Sequence, residues 1–164
     1  MATTAESRRS LSNRTLKLHS GSCYLPHPDK EKTGGEDAHF ICSDEQAIGV
    51  ADGVGGWAEV GINAGEYACE LMSNSMDAIK NEPGEFIDPA RVLEKAHSET
   101  NAVGSSTACI MVLKDQVLLT SYQKYLSMHT YSSCTTSFEN IAPTCTQQNG
   151  CSNIFNLDVT TFDC

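Results

Sequence analysis

Gly34-Gly35-Glu36-Asp37-Ala38-His39-Phe40 and Val50-Ala51-Asp52-Gly53-Val54-Gly55-Gly56-Trp57 stand on either side of one short stretch, Ile41 to Gly49. Within it, Ala38 to Cys42 and Ala47 to Ala51 are brief apolar runs joined by Ser43-Asp44-Glu45-Gln46. Two apolar runs bridged by a polar four-residue turn predict a β-hairpin. Asp37 enters the first strand and Asp52 leaves the second, so an antiparallel pairing brings both carboxylates to the same end of the sheet. Hard divalent cations take carboxylate and main-chain carbonyl oxygens, and a glycine beside a carboxylate lets the chain approach closely enough to supply one. The two segments therefore read as part of a metal site.

Outward from the hairpin, the pattern predicts an α+β domain. Leu16, Leu18 and Ser20 to Tyr24 alternate as a strand does, before Pro26 and Pro28 open a loop that reaches Gly35. From Asn63 to Lys80, Tyr67, Ala68, Leu71, Met72 and Ile79 recur at helical spacing, with Met72 and Met76 read as core filler. Asp88 is a good N-cap with Pro89 behind it, and a second helix carries Val92, Leu93 and Ala96 inward until Asn101 to Gly104 ends it. Ser105 to Leu113 returns as a β-branched and apolar strand.

Composition excludes several classes of function. The net charge is −10, and residues 29 to 115 account for more than all of it, with six basic side chains against seventeen acidic ones. A body of that sign repels phosphate backbones and attracts divalent cations, so no nucleic-acid partner is expected. The longest apolar runs, such as Ala108 to Leu113, fall far short of the ~20 residues that cross a bilayer, and no apolar segment follows Met1. No membrane span or secretory signal is expected. The eight cysteines then read as reduced thiols, with Cys23, Cys42, Cys69 and Cys109 as small buried hydrophobes. Cys134, Cys145, Cys151 and Cys164 lack any CxxC spacing for zinc. An intracellular location follows, either chloroplast or mitochondrion if the Ser-, Thr- and Arg-rich residues 1 to 14 are a transit remnant, or cytoplasm or nucleus.

Gly53-Val54-Gly55-Gly56 is neither GxGxxG nor followed by Gly-Lys-Ser/Thr, so dinucleotide and P-loop readings fail. Instead Gly34 to Phe40, Val50 to Trp57 and Gly104-Ser105-Ser106-Thr107-Ala108, in that order, resemble blocks of the PPM or PP2C-type protein serine/threonine phosphatases, in particular the plant branch with DGVGGW. The resemblance runs from about Leu16 to Leu118, the first half of a catalytic domain. It implies a partial β-sandwich flanked by antiparallel helices, a phosphoprotein substrate, and two Mg²⁺ or Mn²⁺ ions that activate water and neutralise phosphoryl charge. Carried over by position, Asp52 resembles the carboxylate bridging the ions and Gly53 the carbonyl ligand, while Glu36 and Asp37 match the acidic pair. Lys32 stands about where many members have a phosphate-contacting arginine; it supplies charge without the bidentate fork. Many members have a histidine where this chain has Val54, and His39 reads as a structural histidine.

After Asp115 the chain changes character. Of the 49 residues from Gln116 onward only Lys124, Glu139, Asp158 and Asp163 are charged, and neither a Gly-Asp-Ser strand nor a further Asp-Gly follows, where the family supplies more ligands. The expected organisation is a flexible arm over 1–14, a partial phosphatase domain over 15–118 and a poorly ordered, divergent tail over 119–164, with Gln116 to Leu119 continuing the preceding strand. Affinity for hard cations follows ligand charge and number, so metal binding and turnover by this chain are expected to be weak. The alternative is therefore an inactive truncated form that binds metal or partners at most.

Overall fold

A computed structural model describes residues 15–82, 86–127, 134–137 and 153–162. Strand β1 runs Thr15–Tyr24, β2 Asp37–Cys42 and β3 Ala47–Gly53; helices α1, Ala64–Lys80, and α2, Pro89–Glu99, follow. Then come β4, Ser105–Lys114, β5, Val117–Ser127, β6, Cys134–Ser137, and β7, Asn153–Phe162. Single 3-10 turns occupy Pro28–Thr33 and Gly55–Val60.

Five strands form one antiparallel sheet in the order β2-β3-β4-β5-β6, while β1 pairs with β7 in a separate two-stranded sheet. The alternation of side chains in β2, β3 and β4 divides the five-stranded sheet into two apolar faces. Phe40, Cys42, Ala47, Ala51, Ala108, Ile110 and Val112 face the helices and join Tyr67, Leu71, Val92 and Leu93 in the main core. Gly49 makes room for the Phe40 ring, since a Cβ there would lie 2.1 Å from Phe40 Cε1. Ile41, Ile48, Met111 and Leu113 belong to the opposite face and pack with Leu16 and Leu18 of β1. Gln46 fastens β1 to the hairpin turn: its Oε1 accepts the Leu18 N–H at 2.7 Å and its Nε2 donates to the Ser43 carbonyl at 2.7 Å. The result is the expected partial sandwich with helices on one side.

Both helices begin on the caps expected of them. Asn63 Oδ1 accepts the Gly65 N–H at 3.0 Å, and Asp88 Oδ1 accepts the Ala90 N–H at 2.9 Å. They run in opposite directions. Glu82, after α1, pairs with Arg91 at the start of α2, whereas Asn74 and Glu70 bond to Thr100, Asn101 and Ala102 at its end. Among the described residues no helix is long and apolar enough to cross a membrane.

Two expectations need correction. The strand expected to end at Leu119 runs on: β5 continues to Ser127, paired with β4 apart from a register shift between Ser106 and Ala108, because Asp115 and Gln116, at φ 48° and 70°, make a two-residue turn that returns the chain along β4. Further strands lie at 134–137 and 153–162, within the stretch expected to be poorly ordered. The cysteines also divide. Cys42 is buried, but Cys23 and Cys69 are exposed and Cys109 is half-buried. The arm at 1–14 lies outside the described residues.

Candidate metal centre

The hairpin register aligns Asp37 directly with Asp52, and Ala38 with Ala51. Both carboxylate-bearing residues therefore leave the sheet at one end, where the chain before β2 and the turn after β3 meet. Gly53 N–H donates to the Glu36 carbonyl at 2.9 Å, locking the residue beside Asp52 to the residue beside Asp37. A Cβ on Gly53 would lie 2.6 Å from that carbonyl oxygen and 2.7 Å from the Ala64 carbonyl, so only glycine lets the two segments and the start of α1 come this close.

The third block is tied to the second. Val54 N–H donates to the Ser105 carbonyl at 2.9 Å, and the Trp57 indole N–H donates to Ser105 Oγ at 2.7 Å. Gly104 gives α1 its close approach, because a Cβ there would meet Tyr67 Cβ at 2.9 Å. The three sequence blocks are thus one hydrogen-bonded unit that fixes the loop from Gly53 to Trp57 beside the two aspartates.

A cleft of about 330 Å³ opens at this end of the sheet, lined by Glu36, Asp37 and Asp52 together with Gly35 and the segment from Tyr24 to Lys30. Tyr24 lies over Gly35, whose φ of 86° and lack of a side chain admit the phenol: a Cβ there would overlap its oxygen. Burial pushes the Tyr24 phenol above its ordinary value. Lys30 Nζ donates to Glu36 Oε2, and Glu36 keeps only 13% of its side chain exposed. This hydrogen bond, followed by the charges of Glu36, Asp37 and Asp52, holds the Lys30 ammonium above the usual lysine range. Gly55 leaves the space for the pair, since a Cβ on it would lie 2.9 Å from Lys30 Nζ and 3.0 Å from Glu36 Oε2.

Of the residues expected at the site, Glu36, Asp37 and Asp52 line one cleft, and Gly53 is bonded to the Glu36 carbonyl. Lys32 is different. It is exposed and does not line the cleft; Lys30, two residues earlier, does. The reason is the 3-10 turn of Pro28–Thr33, whose three-residue period puts Lys30 and Lys32 on different sides. Pro28 at the head of that turn was the available signal. His39 Nε2 and Ser22 Oγ lie 2.8 Å apart, which suits a structural histidine joining β2 to β1.

The donor set is all oxygen, and a cation is already drawn to it in the form of the Lys30 ammonium. That chemistry fits a hard divalent ion. Among the described residues, however, no three His, Cys, Asp or Glu side chains are gathered into a ready-made cation site.

No family model matches the chain. Against curated proteins it is 71% identical over 108 residues to probable protein phosphatase 2C 55 of Arabidopsis thaliana, covering 66% of this chain and 23% of that protein. It is also 71% identical over 106 residues to probable protein phosphatase 2C 80 of the same plant, covering 64% of this chain and 26% of that one. The chain thus spans about a quarter of the length of these relatives. Among solved structures, the photosystem II phosphatase PBCP matches with a TM-score of 0.58 and 38% identity, over 66% of this chain and 42% of that one. By its degree of identity to these relatives and its structural match, the chain belongs to the protein phosphatase 2C family.

Proposed function

We propose that this chain carries the first part of a metal-dependent protein serine/threonine phosphatase site, with a phosphoserine or phosphothreonine protein as substrate. The observation that carries the reading is the direct pairing of Asp37 with Asp52 at the mouth of one cleft, with Glu36 beside them. Asp52, Asp37 and Glu36 would supply carboxylate oxygens to Mg²⁺ or Mn²⁺, and Gly53 a main-chain carbonyl. Such an ion contributes Lewis-acid activation of water and neutralises charge on a phosphoryl group. The protein's own part is to hold the carboxylates at fixed register on a sheet end and to offer one ammonium, Lys30, at the same cleft. It needs no serine or cysteine nucleophile. Leu25 and Pro26 add apolar surface to the lining of the same cleft.

A second reading is a partial domain that binds metal without turnover. Its support is that the described residues bring three carboxylates to this part of the cleft without gathering them as a cation site. Phosphate release from a phosphothreonine peptide separates the two. Turnover that requires Mn²⁺ and disappears in Asp52→Ala supports the enzyme; saturable Mn²⁺ binding with no release supports the second reading.

A further inference from the structure

Lys30 sits on the turn before the acidic pair, outside the three sequence blocks that carry the family resemblance, and its part in the metal-free protein is still to be assigned. Its ammonium is bonded to Glu36, the least exposed partner of the pair, and is within reach of the charges of Asp37 and Asp52. A metal ion at Glu36 would therefore compete with the ammonium for the bonded oxygen. Three carboxylates at one sheet end repel one another, and a tethered +1 charge reduces that repulsion in the absence of metal. Room for the pair is provided by Gly55 in the neighbouring motif, where any side chain would press on both Nζ and Oε2.

We propose that Lys30 is a positioning residue, a built-in counter-ion that holds the Glu36 carboxylate in the metal-free protein and must leave it for a divalent cation to bind. The proposal rests on the metal-site reading above and explains why the expected ligands share a cleft yet are not gathered. A divalent ion at the carboxylates repels the ammonium, so ion and lysine compete for one oxygen. Lys30, with 39% of its side chain exposed, has solvent to move into. Lys32, on the outer side of the same turn, takes no part.

The test is Mn²⁺ binding to the full 164-residue chain by titration calorimetry at fixed pH and ionic strength. Lys30→Ala and the neutral, similarly long Lys30→Gln should each tighten Mn²⁺ binding by about threefold to tenfold, the effect of removing one partly exposed competing charge. Lys32→Ala should stay within about twofold, and Lys30→Arg should keep the competition. Thermal melts give a second readout. In EDTA, Lys30→Gln should melt below the unsubstituted chain, and saturating Mn²⁺ should raise its melting temperature by more. If the unsubstituted chain binds Mn²⁺ and both neutral variants bind it equally or more weakly, the counter-ion role is wrong while the metal site stands. If neither binds Mn²⁺, the metal-site reading falls and this inference with it.

Discussion

Gly53→Ala puts the packing at the cleft to a quantitative test. The added methyl would lie 2.6 Å from the Glu36 oxygen and 2.7 Å from the Ala64 oxygen. Both are main-chain atoms, so neither can rotate away, and the end of β3 must move off the chain before β2 and off the start of α1 together. Overpacking of this kind costs about 1–3 kcal/mol. Weakening the 2.9 Å bond from Gly53 N–H to Glu36 adds about 1 kcal/mol, a net value for a neutral hydrogen bond. Alanine recovers about 0.4–1 kcal/mol by restricting the unfolded chain. The balance is a loss of about 1–3 kcal/mol. With a urea slope of about 1–3 kcal/mol per molar, the unfolding midpoint followed by circular dichroism should fall by about 1 M. Gly56→Ala is the control: nothing lies within 4 Å of its added carbon, and its effect should stay within about 0.5 kcal/mol. Equal midpoints for the two variants would refute the claim that Gly53 brings the three segments into contact.

Three further outcomes follow from the same coordinates. Gln123 is 2% exposed and its Nε2 has no partner among the described residues, so Gln123→Leu should raise stability by about 1–3 kcal/mol in urea unfolding; a loss would contradict the reading of this amide as an unpaired buried donor. Burial pushes the Tyr67 phenol up to about 12 from an unfolded value of 10.0. The folded state thus holds this proton more tightly, and stability should fall by roughly 2–3 kcal/mol as pH rises from 10 to 12, a drop absent in Tyr67→Phe. Trp57→Phe removes the donor to Ser105 Oγ and should cost about 1 kcal/mol or more by chemical denaturation, whereas an unchanged midpoint would mean that the loop is held by its main chain alone.

The parts of the fold that were legible in the sequence are those where local chemistry and tertiary packing agree. The β2–β3 hairpin has two apolar runs and a polar turn, α1 has an Asn63 cap and a continuous apolar stripe, and α2 has Asp88 and Pro89 at its head. Because the hairpin fixed the register, the meeting of Asp37 and Asp52 followed from residue spacing alone. Beyond Leu119, β5 was not legible, for a physical reason. Its turn uses Asp115-Gln116 rather than Asp-Gly, and its inward positions include Ser121 and Gln123 while Tyr122 is 47% exposed. The strand is held by the β4 ladder and the turn against its own polar pattern. Lys30 was missed because the segment before Gly35 read as a plain loop. Its 3-10 turn decides which lysine reaches the acidic pair. The pairing of β1 with β7 joins residues more than a hundred positions apart, with no local signal to announce it.

The most direct test of the central claim is Mn²⁺ binding by the whole chain and by Asp52→Asn, measured by calorimetry in parallel. Asp52 faces Asp37 across the hairpin and removing its charge leaves the backbone pairing intact. The expected result is saturable binding by the unsubstituted chain, weakened at least about tenfold in the variant, because cation affinity follows carboxylate number. Absence of saturable binding, or equal affinity in the two proteins, would contradict the assignment of this cleft as a metal centre.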